Sequence, residues 1–406
     1  MAAMTPDPSA SAVALPAAVA APAERAKPNV RLLALLALGH MVVDINQGAL
    51  TAILPVLKSA LALSFTATGA IVLVANVTSS LIQPVFGYLA DQTARRWLLP
   101  LSVALSSIGL GLVGLAPSYA VVLALVVVTG FGVAAYHPEG YRTATAVAGE
   151  KRATGVSIFS TGGNIGIAVG PALVTALIAL FGLPGSLGML IPGLLVGALL
   201  TAGLPLLSAP SVTRSRASSD GRKTMVGAMA LLVAVIAMRS WTQVGFSTYV
   251  PFYYIEVLHG DPAMVGTLLA VFLGSGVVGT LVAGPVADRL GLRRVMVSAL
   301  LLVTPIAVSI LFVNRALAVV VLAVLGFVLV STFTISVVLG QAYMPRNPGL
   351  ASGMIVGFAV GAGGVGATAL GWIADRWGLA SALWISAMMP LAGFVAALFL
   401  PEPRAR

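Results

Sequence analysis

Long apolar segments separated by short polar breaks dominate this sequence of 406 residues. A helix needs about 20 predominantly apolar residues to cross the hydrocarbon core of a bilayer, because its backbone polar groups must be satisfied within the helix. The breaks contain turn-forming residues, such as Pro117-Ser118 and Asn347-Pro348-Gly349. We therefore predict an all-α membrane protein with twelve transmembrane helices. The predicted helices are 31–57, 66–90, 97–116, 119–141, 152–181, 185–207, 224–255, 263–288, 293–313, 316–343, 350–377 and 380–401.

The composition favours a membrane protein over the other classes. Only 8% of the residues are charged and the mean hydropathy is +1.04, whereas soluble domains carry about 25% charged residues. The net charge of +10 does not indicate a nucleic-acid partner, because the basic residues are scattered at the ends of apolar runs. The chain has no cysteine, and its histidines and acids are spread along the sequence. We expect no metal site, no cofactor and no enzymatic centre.

The lysines and arginines predict the orientation of the helices. With the N-terminus in the cytoplasm, 18 of the 22 fall on the cytoplasmic side, three fall outside, and one lies within a span. This bias follows the positive-inside rule. The predicted domains are a disordered cytoplasmic tail at 1–30, six-helix bundles at 31–207 and 224–401, a cytoplasmic linker at 208–223 and a cytoplasmic tail at 402–406.

A motif repeated at half the chain length predicts internal symmetry. The stretch 87–96, Gly-Tyr-Leu-Ala-Asp-Gln-Thr-Ala-Arg-Arg, recurs at 284–294 as Gly-Pro-Val-Ala-Asp-Arg-Leu-Gly-Leu-Arg-Arg. Pro55 likewise has a counterpart in Pro251, at an offset of 196 residues. Such repeats imply two homologous six-helix bundles around a midplane site. The motif residues to which we assign a gating role are Gly87, Asp91, Arg95, Arg96, Gly284, Asp288, Arg293 and Arg294.

This motif resembles the signature loop of the major facilitator superfamily, which joins the second and third helices of each half. The first copy departs from the family pattern at Thr93-Ala94, whereas the second keeps the usual glycine as Gly291. The resemblance implies alternating access, with the two loops holding one conformer closed on the cytoplasmic side. A third stretch, 371–378, also resembles the motif, but it falls outside, after the eleventh helix. We interpret it as a helix end without a functional role.

The first predicted helix places His40, Asp44 and Gln47 on one face, at i, i+4 and i+7. Ionisable groups inside a span are costly and suggest function by default. A carboxylate at mid-membrane is drawn towards its neutral form, and histidine exchanges protons near neutrality. We predict that Asp44 and His40 bind and release a proton. The alternative is a pair of buried polar residues that bond to neighbouring helices.

The seventh predicted helix contributes Arg239 and Gln243 on one face. A guanidinium suits a carboxylate or phosphonate, so Arg239 is a predicted substrate contact. The alternative is an ion pair with Asp44, either exchanging partners during transport or static. Amide side chains at similar depth either bind substrate or bridge helices. The further predicted substrate contacts are Gln47, Asn76, Asn164 and Gln243.

The fourth predicted helix ends in a cluster of ionisable residues around a proline. It reads His137-Pro138-Glu139 and then Arg142, and the proline removes a backbone donor from the helix. This pattern predicts proton exchange at His137 and Glu139 and a gate at Arg142. An ordinary solvated helix end is the alternative.

The fifth predicted helix contains Gly166, Gly170 and Pro171. The Gly-x-x-x-Gly spacing permits close contact between helices. The stretch partly resembles the glycine-proline motif of drug/proton antiporters. The resemblance favours export and assigns these three residues to conformational gating.

Several of these stretches together resemble the fosmidomycin resistance protein family, over about residues 31–400. They are Gly39-His40 with Asp44, 83–91, His137-Pro138-Glu139 before Arg142, and Gly162-Gly163-Asn164. The resemblance implies an inner-membrane exporter driven by the proton gradient. The namesake substrate is an anionic phosphonate antibiotic, which Arg239 and His137 would suit.

We therefore predict a monomeric, proton-coupled secondary transporter of a bacterial-type plasma membrane that exports fosmidomycin-like anionic compounds. The first alternative is a proton symporter that imports a small organic anion, because it would have the same fold. The second is a non-transporting membrane sensor or scaffold, which the short linker at 208–223 disfavours because it leaves no room for a signalling domain.

Overall fold

The computed structural model describes residues 29–83, 85–86, 89, 95–148, 152–207, 225–345 and 348–402, which contain helices and no strands. The helices of the N-terminal half are α1 (Val30–Ala60), α2 (Phe65–Leu81), α3 (Leu98–Val113), α4 (Tyr119–Val147), α5 (Arg152–Phe181) and α6 (Leu190–Gly203). Those of the C-terminal half begin with α7 (Val226–Glu256), α8 (Val265–Leu290), α9 (Leu292–Ser309) and α10 (Arg315–Tyr343). The last helical stretch, Pro348–Ala397, is divided at Gly378 into α11 (348–377) and α12 (379–397).

These helices match the twelve predicted spans in order and in approximate extent. Nine helical stretches of the described chain are long and apolar enough to span a membrane, the last of them containing both α11 and α12. The shorter α2 and α3 are also apolar. Two predicted spans differ in detail. The sixth begins as a 3₁₀ helix, Leu183–Met189, and continuous α2 ends at Leu81, because Pro84 lacks the N–H that would extend it.

Some sequence predictions fall on residues that are not described. They include nearly all of the tail at 1–30, the linker at 208–223, most of the tail at 402–406, and Gly87 and Asp91 of the first motif copy.

Short polar side chains begin several helices directly after a connection. Asn29 accepts a hydrogen bond from the Leu32 amide at 3.2 Å, and Ser64 accepts one from the Ala67 amide at 3.0 Å. Asn314 accepts from the second and third amides of α10. Each side chain satisfies amides that have no partner within the helix. The helix starts are therefore fixed locally.

The internal repeat is visible in the backbone. The Asn29 amide donates to the carbonyl of Val147 at 3.1 Å, and the Met225 amide donates to the carbonyl of Tyr343 at 2.9 Å. The two donor residues are 196 residues apart in the sequence, and so are the two acceptor residues. Both halves thus join the start of their first helix to the end of their fourth in the same way.

Three glycines of α5 allow it to pack directly on the backbone of α1. Gly162, Gly166 and Gly170 lie one turn apart, and a Cβ atom at any of them would overlap a carbonyl oxygen of α1. At Gly166 that oxygen belongs to Met41, and at Gly170 it belongs to Ile45. The close contact that the glycine spacing predicts is therefore made between α5 and α1.

Among the described residues, the two halves are in contact at one end and separate at the other. A Cβ atom on Gly364 of α11 would lie 2.9 Å from Leu73 Cα of α2. Further along α11, a Cβ atom at Gly361, Gly357 or Gly353 would meet none of the described residues within 4 Å. The halves therefore meet at the end that carries the α1–α2 and α7–α8 connections. They part towards the end predicted to face the cytoplasm.

We expect Gly166→Ala to destabilise the fold by about 1–3 kcal/mol, because the new methyl group would force α5 away from α1. Gly227→Ala is the matched control, since a Cβ atom there meets nothing within 4 Å and alanine favours the helix. Thermal unfolding in detergent, followed by tryptophan fluorescence, measures both variants. Equal unfolding temperatures for wild type and Gly166→Ala would contradict the proposed packing.

Candidate functional site

A buried carboxylate lies between two histidines inside the N-terminal half. Asp44 Oδ2 is 3.3 Å from His40 Nε2 on the same helix, and Asp44 Oδ1 is 3.5 Å from His137 Nε2 of α4. Asp44 and His40 are 4% and 3% exposed, whereas the His137 side chain is 17% exposed. We call these three residues the His–Asp–His triad. His137 forms its accessible edge.

Backbone carbonyls fix the proton positions on both rings. Nδ1 of His40 lies 2.8 Å from the carbonyl oxygen of Phe159, and Nδ1 of His137 lies 2.8 Å from that of Val133. A carbonyl oxygen only accepts hydrogen bonds, so each Nδ1 carries a hydrogen. Each Nε2 then faces a carboxylate oxygen, and the contact is favourable only when a proton lies between them. The triad can therefore hold protons at two positions.

Aromatic and glycine residues shape the space around the triad. The ring of His40 stacks on Phe159 with centroids 4.2 Å apart, and the Tyr136 hydroxyl donates to the carbonyl of Leu36. A Cβ atom on Gly163 of α5 would lie 2.5 Å from Asp44 Oδ2. Neither Phe159 nor Gly163 is among the functional residues predicted from the sequence. The signal for Gly163 is its place in the glycine-rich stretch of α5.

The donor atoms of the triad lie within 4.8 Å of one another, a spacing that can hold a metal ion. His137 and Asp44 are far apart in the sequence, but the packing of α4 on α1 brings them together. The expectation that the protein has no metal site stays a prediction.

Glu139 has different partners from the triad. It is buried, and its Oε1 lies 3.5 Å from Arg142 Nη1. Neither oxygen of its carboxylate has a hydrogen-bond partner among the described residues. The charge of Arg96, from the first motif copy, also acts on this carboxylate.

Arg239 does not pair with Asp44, so that alternative is wrong for this conformation. Its Nε donates to Thr332 Oγ1 at 2.9 Å and its Nη2 donates to the carbonyl of Leu329 at 3.0 Å. The guanidinium also lies over the ring of Phe333. All three partners are on α10. The side chain of Arg239 therefore points into its own half, and it is only 3% exposed.

The amide side chains predicted to bind substrate are distributed over both halves. Gln47 of α1, Asn76 of α2 and Gln243 of α7 are half-buried, and Asn164 of α5 is exposed. Asn76 lies beside Gly364, at the level where the halves begin to separate. All four amides are therefore at least partly exposed.

The predicted gating residues have partners of several kinds. Gly166 and Gly170 pack on α1, and the carbonyl of Pro171 faces Gly266 of α8, in the other half. In the second motif copy, Arg293 donates to the carbonyl of Leu398 at 2.6 Å and Arg294 pairs with Glu402. Both arginines thus bind the region that follows α12. A Cβ atom on Gly284 would meet none of the described residues within 4 Å. The side chain of Asp288 lies outside the described part of the structure.

Comparison with known proteins identifies the relatives of this chain. The sequence profile of the Major Facilitator Superfamily matches residues 36–356 and 253–406. The chain is 33% identical over 388 residues to the Uncharacterized MFS-type transporter YfnC of Bacillus subtilis (strain 168), covering 92% of this chain and 94% of that protein. It is 30% identical over 395 residues to the Fosmidomycin resistance protein of Escherichia coli (strain K12), covering 96% and 97%. The resemblance noted in the sequence is confirmed.

Solved structures support the fold. The nucleoside transporter NupG (D323A mutant) aligns with a TM-score of 0.74 at 15% identity, covering 92% of this chain and all of that chain. A bacterial homolog to the human lysosomal transporter Spinster, in an inward-facing and occupied conformation, aligns with a TM-score of 0.69 at 17% identity, covering 91% and 94%.

We expect Arg239→Lys to lower the unfolding temperature by several degrees while leaving substrate affinity within about twofold of wild type. Lysine cannot reproduce the planar fork that reaches both Thr332 and the Leu329 carbonyl, and that fork connects α7 to α10. Thermal unfolding and equilibrium binding of a candidate substrate measure the two effects. A large loss of affinity at unchanged stability would instead make Arg239 a substrate contact.

Proposed function

This chain belongs to the major facilitator superfamily, and from that premise we propose that it is a proton-coupled antiporter that exports fosmidomycin-like anionic compounds. Membership makes it a multi-pass membrane protein that transports a small molecule. The similarity to the fosmidomycin resistance protein along almost the whole chain supports drug export. The proton gradient is the proposed source of energy, without a cofactor.

The single observation that carries proton coupling is the His–Asp–His triad. Its two Nε2···O contacts need protons in order to be attractive, and both Nδ1 atoms are already committed to carbonyls. Loss of one proton leaves a nitrogen lone pair facing a buried carboxylate, which is costly in a poorly solvated site. Proton release is therefore coupled to a rearrangement of α1 against α4. His137 is the proposed exchange point, because it is the most exposed member.

The proposed substrate region is the space where the halves separate. Gln47, Asn76, Asn164 and Gln243 offer donors to an anion there. In this conformation the guanidinium of Arg239 is occupied by α10, so we assign it to the structure of the C-terminal half. Glu139 and Arg142, paired at the end of α4, are the proposed exit for the proton.

Proton/anion symport is the second candidate, and the charge of the triad favours it. With both positions protonated, two imidazolium groups surround one carboxylate, which gives a net charge of +1. A positive site beside the substrate space stabilises an anion, and the anion in turn stabilises the protons. This linkage would move proton and anion together. The direction of proton movement decides between the two candidates.

The proposed membrane and the orientation of the protein in it follow from the sequence. We place the protein in a bacterial-type plasma membrane with both termini in the cytoplasm, because that orientation puts most lysines and arginines inside. We propose that the monomer is the transporting unit.

Proton movement in proteoliposomes tests this function. Vesicles with an internal pH dye receive fosmidomycin from outside, and we expect the interior to become more alkaline, because an antiporter exchanges an entering drug for a departing proton. Acidification would establish symport instead. No proton movement would remove fosmidomycin as the substrate.

Asp44→Asn is expected to reduce the drug-dependent proton flux at least about tenfold, to the background of empty vesicles, because a neutral carboxamide lacks the charge that holds the protons on the two Nε2 atoms. Asp261→Asn is the matched control. Asp261 caps a short 3₁₀ helix at Ala263 and is exposed, so its replacement should leave the flux unchanged. Full flux in Asp44→Asn would exclude Asp44 from coupling.

A further inference from the structure

The stretch at the end of α11 repeats the turn of the second motif copy. Residues 284–291 and 371–378 both read Gly-x-x-Ala-Asp-Arg-x-Gly. Each ends on a glycine with positive φ, 93° at Gly291 and 83° at Gly378, a conformation that favours glycine. We interpreted 371–378 as a helix end without a role. Its similarity to 284–291 nevertheless extends from the sequence to the backbone conformation.

The aspartate of this stretch binds the start of α2 in the other half. Asp375 accepts hydrogen bonds from the Phe65 amide at 2.7 Å, from the Thr66 amide at 2.8 Å and from the Thr66 hydroxyl. These donors are the first amides of α2, which have no partner within the helix. Ser64, the N-cap of α2, is bonded to the Ala67 amide instead. The start of α2 is thus completed by a carboxylate from 309–310 residues further along the chain.

Other contacts between the halves surround this cap. Lys58 of α1 lies 3.5 Å from Glu256 of α7 and sits over the ring of Phe65. The Tyr249 hydroxyl of α7 donates to the carbonyl of Ala367 on α11 and lies 3.3 Å from that of Phe65. We call the three hydrogen bonds between Asp375 and Phe65-Thr66 the α2–α11 cap. It belongs to the end at which the halves are closed.

We propose that Asp375 is a positioning residue of the transport cycle, which stabilises the conformer closed at the end of the α1–α2 and α7–α8 connections. Donors and acceptor belong to different halves, so opening this end breaks all three hydrogen bonds. The carboxylate carries a full charge at a helix N-terminus, where an anion is favoured. The proposal rests on alternating access of the superfamily, not on the drug or the proton.

Distances between spin labels test this proposal without any substrate. The chain has no cysteine, so pairs of cysteines can be introduced directly. Ala60 with Val257 reports the closed end, and Val85 with Leu350 reports the open end; all four are exposed. In lipid nanodiscs, we expect Asp375→Asn to change the ratio of the two conformers about tenfold, towards longer distances at the first pair and shorter ones at the second.

Asp261→Asn is the matched control, because it removes the same charge at the same end but caps a helix within its own half. Thr66→Val removes only the hydroxyl bond and should give a smaller shift in the same direction. If Asp375→Asn does not fold, the shift in Thr66→Val alone tests whether the α2–α11 cap stabilises the closed conformer. An unchanged ratio in Asp375→Asn, a lower unfolding temperature without a change in ratio, or an equal shift in Asp261→Asn would overturn the proposal. A failure of fosmidomycin transport would leave this measurement unaffected.

Discussion

The direct packing of α5 on α1 sets the position of the groups in the triad. Gly162, Gly166 and Gly170 bring the two backbones into contact. Phe159 lies one turn before this stripe and supplies both the ring and the carbonyl that hold His40. Gly163 leaves room for the carboxylate of Asp44. A bulkier α5 would displace the carbonyl and the histidine together, so the packing of the helices sets the geometry of the proposed proton site.

The internal repeat shows which positions of the two halves are equivalent, and at some of these positions the side chains differ. With the offset of 196 residues, Tyr136 and His137 of α4 correspond to Thr332 and Phe333 of α10. The N-terminal half uses this contact to place a histidine against Asp44. The C-terminal half uses it to hold Arg239. A guanidinium keeps its charge and suits a permanent connection, whereas a histidine beside an aspartate suits the proton exchange that we propose.

The sequence predicted the helices well because hydrophobic length and turn chemistry are local properties. The helical period also placed His40 and Asp44 on one face. It did not predict that His137 joins them, or that Arg239 turns towards α10, because depth within a span does not identify the neighbouring helix. The partner of Asp375 was not predicted for a related reason. Counting spans placed Asp375 at the end of α11, but nothing local indicated that the start of α2 lies opposite.

Water reaches the α2–α11 cap, since Asp375 is an exposed residue, and dissolved ions reach it as well. Salt weakens the attraction between an exposed carboxylate and the positive end of a helix. On the proposed role of Asp375, the balance between the two conformers would depend on the ionic strength of the medium that bathes this end. With the proposed orientation that medium lies outside the cell, so a cell in dilute surroundings and one in saline surroundings would begin the proposed cycle from different resting populations of the same protein.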